Sequence, residues 1–541
     1  MSAPTTTPRP LLLLRGGTRP DDVARLGRAL AERLEDRGLQ RPGPDKRPDR
    51  RAAQPLPLIV PIGPREDPAR VRADLARRLD PHGPGADPGT DLLLRTSGST
   101  TGTGRLVAMS AAAMLASARA THERLDGPGH WMLALPAHHV AGLQVILRSL
   151  IAGGPLRGPE PDRGSGTRGG AGTHHGPGRP QDDGAGPGLH LPTVVETTDG
   201  FDPAALAGGV TRALAAAGPA PVYTSLVPAQ LLAALAPGQE RAAAALARLG
   251  AVLVGGAAAD AGMLRRARDT GIRVVTTYGM SETAGGCVYD GLPLEGVQVR
   301  LRQGRILLSG PTLFAGYAEK GGDAEGAGTL LVEDSAEGEG VAGAGGEART
   351  AGPARAVLPE EPPVPAPAPE PPAGDPGADP RRARRWLATT DRGRLEPGPD
   401  GRPRLIVEGR LDDIIITGGI KVDPARVEAE MTALPGVAEC CVVGLPDPRW
   451  GAAVTAVVVP EPQAAARPGL PEALRRGARQ RLDGAHAPKR VVVVEALPRL
   501  GPGKVDRRAL AARLGAGGAG GGVGSPGSPG SPQAHDDERT P

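Results

Sequence analysis

Residues 251–279 read AVLVGGAAADAGMLRRARDTGIRVVTTYG, and this stretch decides the fold class. AVLVGG at 251–256 is a short apolar run ending in glycine, as a buried strand would be. A helical pattern follows around Ala261 to Asp269, then a β-branched run, IRVVTTYG, at 272–279. Strand, helix and strand at this spacing predict a βαβ unit with parallel strands. Ligands of such sheets bind beyond the carboxyl ends of the strands. GGAA and YGMSET both lie at that end.

Outward from this unit, order is expected from Leu191 to Ala318 and from Asp91 to Leu156, where a strand, a glycine-rich loop and helices read in turn. Residues 1–90 mix helical patterns, such as Asp21 to Arg37, with Pro/Arg-rich spacers. Residues 157–190 carry too few apolar side chains to bury a core and read as a disordered insert, and the Pro-rich stretch 321–380 as an extended spacer. A smaller domain is expected over 410–514. In it VDPARVEAEMTAL predicts a helix with Asp423 as N-cap, Pro424 at its first position, and Val427, Met431 and Leu434 on one face. Two strand-like runs, GVAECCVVGL and AAVTAVVVP, follow, and the GSP-rich tail at 515–541 reads as disordered. The expected class is therefore α/β: a large N-terminal domain of layered sheets and helices over 1–409, with a smaller, mobile α+β domain behind it.

Composition excludes several function classes. Lys+Arg 64 against Asp+Glu 60 leaves a net charge of +4, and the arginines are scattered. The one run, Arg381, Arg382, Arg384 and Arg385, reads as a solvated linker end. No basic cluster with interleaved aromatics is present, so no nucleic-acid partner is expected. Cys287, Cys440 and Cys441 have no metal-ligand spacing and cannot form a disulfide framework, which fits a reducing cytoplasm. The N-terminus lacks a signal-peptide pattern. The most apolar stretch, Trp131 to Ile151, contains His138, His139 and Arg148 and does not read as a membrane span.

Four constellations carry chemistry. Thr96-Ser97-Gly98-Ser99-Thr100-Thr101-Gly102-Thr103-Gly104-Arg105 follows the apolar run Leu92-Leu93-Leu94. Its glycines free backbone N–H groups to converge on an anion, its hydroxyls add donors, and Arg105 adds charge. In Tyr278-Gly279-Met280-Ser281-Glu282-Thr283, a tyrosine can cover a base, a serine can donate to phosphate and a carboxylate can hold magnesium. Thr389-Thr390-Asp391-Arg392-Gly393 and Gly409-Arg410-Leu411-Asp412-Asp413 supply a carboxylate suited to a ribose diol and an arginine for ribose or phosphate. Gly501-Pro502-Gly503-Lys504 places an ammonium group on a glycine-flanked tip. Taken alone, each also reads as a surface turn or linker.

Together and in this order they resemble the adenylate-forming superfamily of acyl-CoA synthetases, luciferases and peptide-synthetase adenylation domains. That family carries a TSG(S/T)TG loop, a YGxTE turn, a TGD turn, a GRxDD hinge strand and a PxxxxGKxxR loop. The resemblance covers about residues 91–156, 191–318 and 386–512. This chain departs from it in one extra loop residue, in Gly104-Arg105 for the usual Pro-Lys, and in Thr390 for the glycine of TGD. The resemblance implies ATP, Mg2+ and coenzyme A as cosubstrates and cofactor. It places the β- and γ-phosphates in the 96–105 loop, with Ser281 donating to phosphate, magnesium on Glu282, adenine among Gly256, Ala257 and Tyr278, and ribose on Asp391. Lys504, Arg410 and His139 are implied as catalytic, Asp412 as a hinge, and Gly418, Gly419 and Lys421 as the thiol channel.

LPAHHVAGL at 135–143 resembles the segment in which a histidine, here His139, closes over the acid. With Arg148 and TSLVPAQ at 224–230, the wording is similar to the o-succinylbenzoate–CoA ligases of menaquinone biosynthesis. That likeness implies an acid held by His139, Ser225 and Gly279, with Arg148 facing its second carboxylate. Nine positions separate His139 from Arg148, so on one continuous helix they would lie on opposite faces; they converge only if His139 precedes the helix. A helix cap or a solvent-facing side chain is the other reading of Arg148. A ligase for another short aliphatic or aryl acid, a peptide-synthetase-like module and an adenylate-binding protein without turnover remain open.

Overall fold

The computed structural model describes residues 9–39, 56–96, 104–153, 189–320, 329–333, 384–500 and 505–516. The βαβ unit is present: the strands Ala251–Gly255 and Val274–Met280 pair in parallel, Val252 opposite Val274 and Gly255 opposite Thr277, across the helix Ala261–Asp269. They are central in a seven-stranded sheet that continues in parallel through Val222–Leu226, His130–Leu133 and Thr193–Val194. At its other edge, Gly285–Tyr289 and Leu292–Pro293 return antiparallel.

Helices cover both faces. Pro203–Ala217, Glu240–Leu246 and Ala261–Asp269 pack one core with Val252, Val254, Leu226 and Met132. On the other side, Pro20–Asp36, Ala111–Arg124 and Val140–Ala152 pack a larger core that reaches a five-stranded sheet built on Leu11–Arg15, Leu58–Ile62 and Leu92–Arg95. Each fully buried Leu, Val or Phe in these cores contributes about 1.5–3 kcal/mol of burial free energy. Helix starts are fixed locally: Asp67, Ser110, Asp202, Asp260 and Asp423 accept hydrogen bonds from their own first turns, at about 1 kcal/mol each.

A third sheet holds Gln298–Arg302, Arg305–Ser309, Thr329–Glu333 and the long strand Arg384–Pro397, with Pro403–Arg410 paired to the last. Two expectations are corrected here. Thr329–Glu333 lies within the stretch read as a spacer, yet it pairs along Arg384–Ala388, with Glu333 opposite Arg384. Five residues, TLLVE, between glycine- and glutamate-rich flanks are too few to reveal a period. Arg384 and Arg385 are not a linker end either. They open a strand whose next residues, Trp386, Leu387 and Ala388, are buried, and Arg385 donates to the carbonyls of Phe314 and Ala315.

The small domain follows Arg410. Asp423 caps the helix Pro424–Thr432, whose Val427 and Met431 are fully buried with Leu434 beside them. These pack on the antiparallel pair Val437–Asp447 and Gly451–Pro460, joined in parallel by Arg490–Val493. Among the described residues no helix is long and apolar enough to cross a membrane.

Candidate active site

The Val274–Met280 strand ends in Tyr278-Gly279-Met280 and turns through the short helix Ser281–Thr283. Gly279 is required sterically: a Cβ there would lie 2.1 Å from the carbonyl oxygen of Gly285 on the returning strand. That close approach presses the turn against its neighbour and sets Glu282 into the interior. Glu282 is 9% exposed. Its Oε1 accepts a hydrogen bond of 2.9 Å from the Tyr317 hydroxyl, and its backbone carbonyl accepts from Phe314. Burial pushes its carboxyl above the ordinary range, against the opposing pull of Tyr317 and Arg105.

Thr96 and Arg105 bring the ends of the hydroxyl-rich loop together. Thr96 N–H donates to the Arg105 carbonyl at 3.0 Å, and Arg105 N–H donates to Thr96 Oγ1 at 2.8 Å. The Arg105 guanidinium lies 3.8 Å over the Tyr317 ring and pairs with Glu319. The mouth of the loop therefore opens beside Glu282. Ser97, Gly98, Ser99, Thr100, Thr101 and Gly102 lie outside the described residues, as does Lys504.

Tyr278 reaches the third sheet, donating its hydroxyl to Asp391 Oδ2 at 2.8 Å. Burial and the charge of Asp391 push its phenol up, so it stays protonated. Asp391 is held by its own N–H to Thr389 Oγ1, whose proton goes to the Ile306 carbonyl at 2.8 Å. Directly across the ladder from Asp391 stands Arg410, which donates to Thr390 Oγ1 at 3.0 Å and grips Asp412 through two bonds of 2.7 and 2.8 Å. Asp391 thus meets the end of the central sheet at Tyr278 and the start of the small domain at Arg410. Its charge is felt at Glu282 as well. Gly256, with φ of 80°, and Ala257 form the exposed turn at the end of the neighbouring strand.

His139 stands immediately before the helix Val140–Ala152, as convergence with Arg148 requires. Its ring lies 4.1 Å from that of His138, whose Nδ1 donates to the Gly16 carbonyl at 2.9 Å. Burial, with His138 and Arg95 adding positive charge, pushes His139 down to about 4, so it is neutral near pH 7. Ser225 is buried in the adjoining strand Val222–Leu226.

Arg148 is neither a cap nor solvent-facing. It is 3% exposed, donates from Nη2 to the Tyr289 hydroxyl at 3.2 Å, and lies 5.0 Å from the centre of the Trp131 ring. Its Nε has no partner, and no carboxylate faces it among the described residues.

Gly418, Gly419 and Lys421 belong to the hairpin Ile415–Thr417/Ile420–Val422, where Gly418 N–H donates to the Trp450 carbonyl. Both glycines have positive φ, 55° and 80°, which the turn requires. Among the described residues these three make none of the bonds that join Glu282, Tyr317, Tyr278 and Asp391. Tyr317 and Glu319 were not singled out from sequence, and Thr389, though part of a quoted motif, was given no role. One signal could have found the first: the chain has four tyrosines in all, so each retained one stands out.

Residues 426–504 match the AMP-binding enzyme C-terminal domain. A probable 2-succinylbenzoate–CoA ligase of Mycobacterium tuberculosis is 37% identical over 423 residues, 78% of this chain and 84% of that protein. A 4-chlorobenzoate–CoA ligase of a Pseudomonas species is 40% identical over 117 residues, 22% of each chain. Among solved structures, ATP-bound MatB from Rhodopseudomonas palustris gives a TM-score of 0.57 at 18% identity, covering 94% of this chain and 96% of its own. The o-succinylbenzoate CoA synthetase of Bacillus subtilis, in complex with its acyl-adenylate intermediate, gives 0.54 at 19% identity, covering 93% and 96%. The chain belongs to the AMP-forming acid–CoA ligases of the adenylate-forming superfamily.

Proposed function

We propose that this ligase joins o-succinylbenzoate to coenzyme A in menaquinone biosynthesis, with ATP cleaved to AMP and pyrophosphate through an acyl-adenylate. The observation that carries the choice of acid is Arg148. An isolated guanidinium buried without a carboxylate costs several kcal/mol, and an acid with a second carboxylate would complete the pair through a charge-assisted, two-pronged bond. The relative named for 2-succinylbenzoate, matched over most of both chains, supports the same reading.

In the first half-reaction the acid's carboxylate attacks the α-phosphorus of ATP and pyrophosphate leaves. Such transfer is mostly positioning and charge stabilisation. The loop from Thr96 to Arg105 cradles the β- and γ-phosphates, helped by Ser281. Tyr278, Gly256 and Ala257 enclose adenine, and Asp391, aligned by Thr389 and Tyr278, takes the ribose diol. Arg410 reaches ribose or phosphate. Lys504 neutralises the carboxylate and α-phosphate oxygens. Neutral His139, with Ser225 and Gly279, lines the acid.

The Glu282 site suits Mg2+. Burial raises the Glu282 carboxyl, which favours its protonated form in the free site, and a bound divalent cation would displace that proton and keep the carboxylate ionised. An ion held by one carboxylate and the substrate phosphates needs no dedicated protein cage. When bound, the ion would neutralise the phosphate charge.

In the second half-reaction the small domain turns about Asp412 and withdraws Lys504. Gly418, Gly419 and Lys421 then border the pantetheine path, and the thiol attacks the mixed anhydride and displaces AMP. A reducing cytoplasm suits free Cys287, Cys440 and Cys441. The test is AMP release with coenzyme A and o-succinylbenzoate, compared with benzoate and octanoate. Preferential turnover of o-succinylbenzoate is expected; equal or better turnover of either monocarboxylate assigns the ligase to another acid.

A further inference from the structure

The helix Val140–Ala152 presents Val140, Gln144 and Arg148 at four-residue steps, hence on one face. That face lies against the Gly285–Tyr289 strand. Gln144 donates to the Ala284 carbonyl at 2.8 Å, and a Cβ at Gly285 would lie 3.5 Å from Gln144 and 3.8 Å from Val140. Gly285 and Gly286 offer no side chains of their own, and beyond them the Tyr289 ring closes the row, 2.9 Å from where a Gly286 Cβ would be. From His139 to Arg148 the helix rises about 13 Å.

Arg148 is fixed by a chain of bonds whose directions can be assigned. A guanidinium only donates, so the Tyr289 oxygen accepts from Arg148 Nη2 at 3.2 Å. The Tyr289 proton then goes to Thr121 Oγ1 at 3.0 Å, and the Thr121 proton to the Ser117 carbonyl at 2.8 Å. The Trp131 ring supports the guanidinium, and its own N–H donates to His122 Nε2 at 3.1 Å. Arg148, Thr121, Ser117 and Tyr289 are all buried. Three side-chain groups in this layer have no hydrogen-bond partner: Arg148 Nε, a donor, Gln144 Oε1, an acceptor, and the Ser117 hydroxyl, whose residue enters the relay only through its backbone carbonyl.

We propose that Tyr289 and Thr121 are positioning residues for acid selectivity: the relay Arg148–Tyr289–Thr121–Ser117 holds one edge of the guanidinium so that its free edge meets the acid's second carboxylate. This rests on the reading of Arg148 given above. Neither hydroxyl touches the acid. Their effect is on the entropy and angle with which Arg148 meets it, so they act on acid binding and leave the nucleotide alone.

The experiment measures kcat and KM for o-succinylbenzoate and for whichever monocarboxylate analogue is turned over, benzoylpropionate or o-butanoylbenzoate. The proteins are wild type, Arg148→Gln, Tyr289→Phe, Thr121→Val and Thr121→Ser. Tyr289→Phe and Thr121→Val are expected to raise KM for o-succinylbenzoate roughly tenfold, the worth of one hydrogen bond to a charged group. KM for ATP and kcat/KM for the monocarboxylate should stay within about twofold, the scatter expected where no contact is lost. Thr121→Ser, which keeps the hydroxyl, should restore the wild-type value. Equal loss on both acids, or a Thr121→Ser variant no better than Thr121→Val, overturns the relay and leaves only a packing role. If Arg148→Gln abolishes the preference for the diacid while Tyr289→Phe and Thr121→Val keep it, the relay alone fails. If wild type itself has no such preference, the reading of Arg148 fails and the relay with it. Melting curves accompany each variant, and if Tyr289→Phe does not fold, the Thr121 pair decides.

Discussion

Replacing Arg148 with methionine should make the free enzyme more stable while removing its hold on the acid. The guanidinium is 3% exposed and has no carboxylate partner among the described residues. Exchanging buried ionic groups for apolar ones of similar volume commonly stabilises by about 1–4 kcal/mol, and the missing counter-ion places this site at the upper end. Against that stand about 1.5 kcal/mol for the charge-assisted hydrogen bond to Tyr289 and about 2 kcal/mol for the contact with Trp131. The Tyr289 hydroxyl is not orphaned, because Thr121 still accepts from it. The net expectation is a gain of about 0.5 kcal/mol, a rise in melting midpoint of about 0.5–1 °C for a chain of this size. The diacid would lose a buried ion pair worth at least about 2 kcal/mol, a roughly thirtyfold weaker KM. Thermal melts without ligand, and initial rates across o-succinylbenzoate concentrations, measure the two sides. A variant that melts lower yet keeps its preference for the second carboxylate refutes the argument, since the charge would then serve the fold and not the substrate.

Lys504→Ala is expected to cripple acid-dependent ATP–pyrophosphate exchange by at least about a hundredfold while largely sparing thioester formation from supplied adenylate, as loss of one preorganised charge does; equal loss of both steps removes the two-position scheme. Gly279→Ala would drive a methyl group into the Gly285 carbonyl, 2.1 Å away, and should cost about 3 kcal/mol or more, read as a fall in the denaturation midpoint; an unchanged midpoint contradicts the close approach. Acid sensitivity follows from the histidines. His122, His130 and His139 are each pushed by burial to about 4, below the ordinary 6.5. The unfolded chain therefore binds protons first as pH falls, and stability should be lost from pH 6.5 toward 4, with up to about 1.4 kcal/mol per pH unit for each histidine. Urea midpoints between pH 7 and 5 measure the slope, which His122→Gln should reduce; a flat profile shows that these rings titrate normally.

The parts of this molecule that could be read from sequence are those governed by near neighbours. The βαβ unit at 251–279, the Asp423 cap and the Val427–Met431 face each depend on a few adjacent residues, and each took the expected form. The motif residues Glu282, Tyr278, Asp391, Arg105 and Arg410, scattered in the sequence, share one network of bonds and charges. What could not be read were the partners that join distant positions. Tyr317 reaches Glu282 across 35 residues, Tyr278 reaches Asp391 across 113, and Arg148 reaches Tyr289 across 141. No periodicity encodes such pairs, because they arise only when separate layers are stacked. The strand Thr329–Glu333 was lost for a related reason: it becomes a strand by pairing with Arg384–Ala388, not by any pattern of its own.

Because Glu333 and Arg384 are partners on one rung, the two chain ends that the intervening sequence must join lie side by side in the sheet. A short turn could therefore span that gap without shifting a single register position. Chain-closure entropy varies only logarithmically with length, so a roughly tenfold shortening would change folding free energy by only about 2 kcal/mol, in favour of the shorter chain. Position 333/384 is thus a natural splice point, where a reporter or affinity module could be grafted while the sheet that carries Asp391 keeps its alignment.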